Sequence, residues 1–231
     1  MKRTFSINTL FKDAWKDYKA NWTLFILIGI IFVLIGLVSK LGSSFNPYTH
    51  TFEQPLVTTV IGFLLQMFVG LGFIRFLLNM VDGKEYKVED LFRGAESVAH
   101  FIYFVVVALL YGAFIAFGMV LLVVPGLVAL VGFIFAQYLM AERKADIFES
   151  FQKSWMMTSG NRWKILWLMI VLALFNLLGV IALFVGLIIT VPMSYIIYAR
   201  LYRTLDGELA TTPDEKNDIE VVEVLEGNQT A

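Results

Sequence analysis

Six long apolar runs, separated by short polar stretches, set the pattern of this chain. They cover roughly 23–38, 55–80, 101–124, 126–141, 163–184 and 187–202. Their lengths bracket the ~20 residues a helix needs to cross ~30 Å of hydrocarbon. Three further segments place apolar residues at the 3.6-residue period of a helix. Across 5–22, Ile7, Leu10, Phe11, Ala14, Trp15 and Tyr18 oppose Lys12, Asp13, Lys16, Asp17 and Lys19. Val88, Leu91, Phe92 and Ala95 form the second apolar stripe. The third segment opens at Asp146 with Glu149 at capping-box spacing and breaks at Gly160-Asn161, where glycine suits a left-handed C-cap. Helices of this kind lie in a membrane interface. A soluble-type helix packed on a loop is the alternative for the first.

The joints agree with paired crossings. Asn46-Pro-Tyr48 and Pro55 punctuate the loop 39–54, Asp82-Gly83 makes a polar turn, and Pro125-Gly126 alone joins the third and fourth runs. Gly186 hinges the fifth and sixth, and Pro192 marks a kink in the last. Gly29 and Gly36 fall two turns apart, offering a face that a neighbouring backbone can approach closely. Phe11, Ala14-Trp15 and Asn21-Trp22 match Phe151, Ser154-Trp155 and Asn161-Arg-Trp163, and the middle stretch keeps Leu91-Phe92 and Ala95. Three repeat units follow, at about 5–83, 87–145 and 146–207. The predicted fold is all-α: a polytopic membrane domain over 1–210, with six transmembrane helices as three hairpins, each preceded by a cytoplasmic interfacial amphipathic helix. A disordered acidic tail occupies 211–231.

Composition makes the membrane class nearly unavoidable. Hydrophobic residues supply 58% and charged residues 16%, against roughly a quarter charged in a soluble domain. Lys2 and Arg3 resemble the start of a signal peptide, but five further charges precede the first apolar run and no small-x-small cleavage site follows it, so that run reads as an uncleaved crossing. Of 18 Lys and Arg residues, only Lys40 falls on the side opposite the termini, which places both ends in the cytoplasm of a cell with an inner membrane. Trp15, Trp22, Trp155, Trp163 and Trp167 then map to the inner interface as anchors. The tail carries Asp214, Glu215, Asp218, Glu220, Glu223 and Glu226 against Lys216; a partner or plain solubility would explain it.

Candidate chemistry is sparse. There is no cysteine, no phosphate-cradling glycine motif, no zinc spacing and no serine elbow, so no catalytic residue, metal or cofactor is expected. His50 and His100 fall on opposite sides of the membrane, each read as a solvated interfacial histidine. The polar residues inside the crossings are Gln66, Gln137, Asn176, Ser194 and Tyr195. They either line a small cavity or hydrogen-bond between helices. Arg75 and Arg200 each follow an apolar run at related positions. Their guanidinium forks suit lipid phosphate or a ligand anion, while snorkelling to headgroups or capping of neighbouring carbonyls are the alternatives.

Leu10-Phe-Lys-Asp-Ala-Trp15, Val124-Pro-Gly-Leu127 and Ser150-Phe-Gln-Lys-Ser-Trp155 leading to Gly160-Asn161-Arg-Trp163 are similar to stretches of a bacterial and archaeal family of six-helix membrane proteins. One branch of it supplies the membrane domain fused to some glycerophosphoryl diester phosphodiesterases. The resemblance spans about 5–207 and implies a membrane module with no catalytic residue to carry over. The expected function is a non-enzymatic module binding membrane lipids, or a protein partner at its cytoplasmic face or acidic tail, in membrane organisation or a stress response; nucleic acid is not an expected partner. A transporter or channel for a small or lipidic solute, with its path between the repeats, is the second reading. A lipid-acting enzyme comes third.

Overall fold

The computed structural model describes residues 5–38, 40–41, 43–46, 51–53, 55–121, 123–182 and 185–207; His50 and the predicted acidic tail lie outside them. The fold is helical, with α1 (Ile7–Val38), α2 (Leu56–Val81), α3 (Val98–Leu121), α4 (Val123–Gly132), α5 (Ala136–Ala141), α6 (Ile147–Thr158), α7 (Arg162–Ile181) and α8 (Leu187–Asp206). A short antiparallel hairpin, β1 (Ser44–Asn46) with β2 (Thr51–Glu53), fills the loop before Pro55, which serves as the N-cap residue of α2. Five stretches are long and apolar enough to cross a membrane: α1, α2, α3, the α4–α5 stretch Val123–Ala141, and α7. This is a multi-pass membrane protein. The α8 helix, with Arg200, Arg203 and Asp206 in its final turns, is less apolar than the other five.

Several expectations need correction. The first amphipathic segment is no separate helix: it continues into the first apolar run as α1, with a kink at Asn21 (φ −127°, ψ 16°). The second is a five-residue 3-10 helix, Val88–Phe92, which buries Leu91 and exposes Phe92, so no amphipathic α-helix introduces α3. Pro125 and Gly126 sit inside α4 and are not the joint itself. The fourth run breaks between Gly132 and Ala136. At Gly29 and Gly36 no neighbouring atom comes within 4 Å of an added Cβ.

The lead segments are packed against the bundle. At Gly72 of α2 an added Cβ would lie 2.0 Å from the carbonyl oxygen of Leu91 in the 3-10 helix. At Gly132, ending α4, it would lie 2.5 Å from the Trp155 ring of α6. The α6 helix also mends the broken run: Ser154 Oγ donates to Gly132 O at 2.9 Å and accepts from Phe135 N at 3.1 Å. A neighbouring hydroxyl thus supplies the bonds the interrupted helix lacks, the condition under which a break survives at membrane depth. The first half of α1 lies along α7 and α8, through the Phe11–Phe175 ring pair (5.7 Å) and Tyr18. Pro192 has no N–H for the carbonyl of Ile188; the Tyr18 hydroxyl donates to that oxygen instead, at 3.2 Å.

Candidate functional site

The ends of α2, α5 and α8 meet in one cluster of charge. Each helix finishes at an acid followed by a left-handed residue: Asp82-Gly83 (φ 68°), Glu142-Arg143 (φ 56°) and Asp206-Gly207 (φ 82°). The first two close with the same bonds, Lys84 N to Asn79 O (2.9 Å) and Lys144 N to Leu139 O (3.0 Å). Arg203, 1% exposed, lies between two of these acids. Its Nε and one terminal nitrogen donate to both oxygens of Asp82 at 2.7 Å, and both terminal nitrogens reach Glu142 at 2.6 and 2.9 Å. Such a fork-to-fork arrangement is the strongest geometry available to a guanidinium. Tyr202 donates to Glu142 at 2.7 Å, and Lys144 bridges Glu142 (3.1 Å) to Asp206 (2.6 Å). Burial pushes the Glu142 carboxyl up, but hydrogen bonds from Arg203 and Tyr202 and the nearby positive charges outweigh it. The group is held below its ordinary value.

Arg75 and Arg200 turn inward too. Arg75 donates to Ala141 O (3.0 Å) and Gly94 O (3.1 Å) and pairs with Glu96, whose carboxyl it holds below the usual range. It clamps the end of α2 to the end of α5 and to the segment before α3. Arg200 donates from two nitrogens to one oxygen of Asp17 (2.8 and 2.6 Å) and reaches Asp13 at 3.5 Å, fixing α8 to α1. Both guanidiniums therefore have protein carboxylates as counter-ions, and Arg75 has two backbone carbonyls as well. Arg203 escapes sequence reasoning because its partners lie 121 and 61 residues away. The acid closing each even-numbered apolar run is the one sequence signal that points to it.

The remaining candidates do not converge. Gln66 is exposed on α2 and Gln137 half-buried on α5. Asn176 of α7 donates to Leu172 O and to Ser194 Oγ of α8, both at 2.9 Å, an interhelical bond of the kind expected. His100 is buried, not solvated: its Nε2 donates to Met140 O at 2.9 Å. All five tryptophans are exposed, Trp163 most of all at 85%. Trp155 lies under the Arg162 guanidinium at 3.5 Å, and Trp15 stacks on Tyr18 with Lys19 above it.

Two apolar clefts flank α1. One, of about 270 Å³, lies among Phe25, Phe32, Phe73, Pro192 and Tyr195. The other, of about 420 Å³, opens between the first half of α1 and the α7–α8 pair; Phe11, Trp15, Phe175, Leu178, Ile189 and Met193 wall it. A polar cleft of about 330 Å³ runs beside Arg75, Asn79, Asp90, Arg93 and Glu142. Gln66, Gln137 and Asn176 line none of these three. No family model matches the chain, and the comparisons with curated proteins and solved structures found no match.

Proposed function

We propose that this protein is a membrane module, without catalytic activity of its own, that binds membrane lipids within its helical bundle. The observation carrying this reading is the laterally open apolar groove between α1 and the α7–α8 pair, edged by the half-exposed ring of Trp15. A groove of that composition suits an acyl chain. In this reading α8 is the sixth crossing: its 20 residues span ~30 Å. Six crossings pair as three hairpins, with both termini on the cytoplasmic side. Convergence of the α2, α5 and α8 ends supports an even number of crossings, and the basic surplus at that end supports the orientation.

The three-unit repeat belongs to the same proposal. Gly72 stands ten residues before Asp82 and Gly132 ten before Glu142, and each receives the lead segment of the following unit. The lead segment of the first unit rests on the hairpin of the third, which would close a ring. Kinship with the membrane domain of glycerophosphoryl diester phosphodiesterases is proposed on the three sequence stretches alone. A transport path has less support, since Gln66 sits on the outside and Asn176 is tied to Ser194. Native mass spectrometry of the gently extracted protein tests the lipid reading. Retained lipid, reduced by Trp15→Ala, is expected; a chain that emerges free of lipid under mild conditions would overturn it.

A further inference from the structure

The polar cleft beside the 3-10 helix carries two charges that the fold leaves unanswered. Four charged side chains wall it: Arg75, Asp90, Arg93 and Glu142. Two of them are already matched. Arg75 pairs with Glu96, and Glu142 is held by Arg203, Tyr202 and Lys144. Arg93, exposed at the end of the 3-10 helix, has no side-chain partner among the described residues. Asp90 accepts the Lys87 N–H on Oδ2 at 2.8 Å but forms no ion pair among them. A 3-10 helix sets residues three apart on one face, about 6 Å along its axis, so the two unlike charges share a side without pairing. Further donors stand on the same wall. The Asn79 amide has no partner among the described residues, and Arg75 uses three of its five N–H groups, on Ala141 O, Gly94 O and Glu96. The cleft opens where α2 and α5 end, at Val81 and Ala141, the level at which apolar runs give way to headgroups.

We propose that this cleft binds the headgroup of a phosphoethanolamine lipid, a phosphodiester anion and a primary ammonium joined by two methylenes. The phosphate accepts from the Arg93 fork, from the Asn79 amide and from the N–H groups Arg75 has left. The ammonium donates to Asp90. One unanswered charge of each sign on the wall thus meets its opposite in a single ligand. A glycerol headgroup brings the anion but offers Asp90 only neutral hydroxyls, and a charge-assisted bond is roughly twice as strong. A choline headgroup brings a cation with no N–H to donate, and no aromatic ring lines the cleft to receive it. This site shares no lining residue with the apolar groove beside α1 and stands independently of it.

The test titrates the full chain in detergent with lipids of identical acyl chains, read by native mass spectrometry. The lipids are phosphatidylethanolamine, its mono-, di- and trimethylated forms (the last being phosphatidylcholine), and phosphatidylglycerol. Affinity should fall with each added methyl and reach a loss of about tenfold at choline. Arg93→Gln should weaken the ethanolamine and glycerol lipids alike. Asp90→Asn keeps an acceptor for the Lys87 N–H; it should weaken the ethanolamine lipid about tenfold and spare the glycerol lipid. Trp15→Ala, in the separate groove, should leave the ethanolamine-to-choline ratio unchanged, so failure of the groove and failure of the cleft read differently. Equal binding of ethanolamine and choline lipids by the unaltered chain overturns the proposal, as does a preference that survives Asp90→Asn. Tighter binding of the glycerol lipid than of the ethanolamine lipid overturns it in favour of a plain anion site. Binding of soluble glycerophosphoethanolamine without the lipid overturns the membrane as its source. Should a variant fail to fold, the methyl series on the unaltered chain decides.

Discussion

Arg203 shows how far a residue's role can depart from its place in the sequence. An arginine in the last turn of an apolar helix reads as an interfacial anchor, yet this one is sealed between Asp82 and Glu142. Removing one partner of such a pair strands the others without their counter-charge, at a cost of about 3–5 kcal/mol. Arg203→Leu should therefore lower the unfolding temperature in detergent far more than Arg200→Leu or Arg75→Leu, whose side chains are more exposed. Thermal unfolding of the three variants ranks them directly. The same cluster sets an acid limit. Because the Glu142 carboxyl is held below its ordinary value of 4.5, its contribution is complete above that pH and is lost as pH falls through the lower folded-state value. The Glu142 contribution should appear as a drop in melting temperature below about pH 4.5, shallower in Glu142→Gln.

At the level of helices, the apolar runs were legible because unbroken hydrophobicity over ~20 residues has few other uses. The Asp146 start was legible as well: the backbone N–H of Asp146 donates to Glu149 at 3.3 Å, and Gly160 takes the left-handed φ of 82°. What remained hidden was the depth and partner of each amphipathic segment. A stripe such as Leu10, Ala14 and Tyr18 looks the same whether it faces lipid or a neighbouring helix, and here it is buried. The gap between α4 and α5 was equally silent, since Phe133, Ile134 and Phe135 continue the apolar run without interruption. Only the position of Ser154 explains how the gap is tolerated. Ser154→Ala should leave the Phe135 N–H without its partner and the Gly132 carbonyl with only the longer bond from Thr158 (3.4 Å), costing about 1–3 kcal/mol. Faster hydrogen exchange at the Phe135 amide is the matching local readout. Gly72→Ala would force the 3-10 helix away from α2 and should expose the 88–94 segment to protease.

For the whole molecule, sidedness is the sharpest prediction, and the absence of cysteine makes it easy to read. Single cysteines at Lys40, Lys84 and Glu149 would each report alone. An impermeant maleimide added to intact cells should label Lys40→Cys, and should reach Lys84→Cys and Glu149→Cys only after permeabilisation. Labelling of Lys40 and Lys84 from the same side would defeat the six-crossing arrangement. The docking of α1 on α7 and α8 also imposes an order on biogenesis. While the ribosome is still making the middle of the chain, Phe11 and Tyr18 lack their eventual partners, because Phe175 and Ile188 do not yet exist. A stretch made early must wait at the bilayer surface for one made much later. A nascent chain halted before residue 175 cannot seat its own beginning.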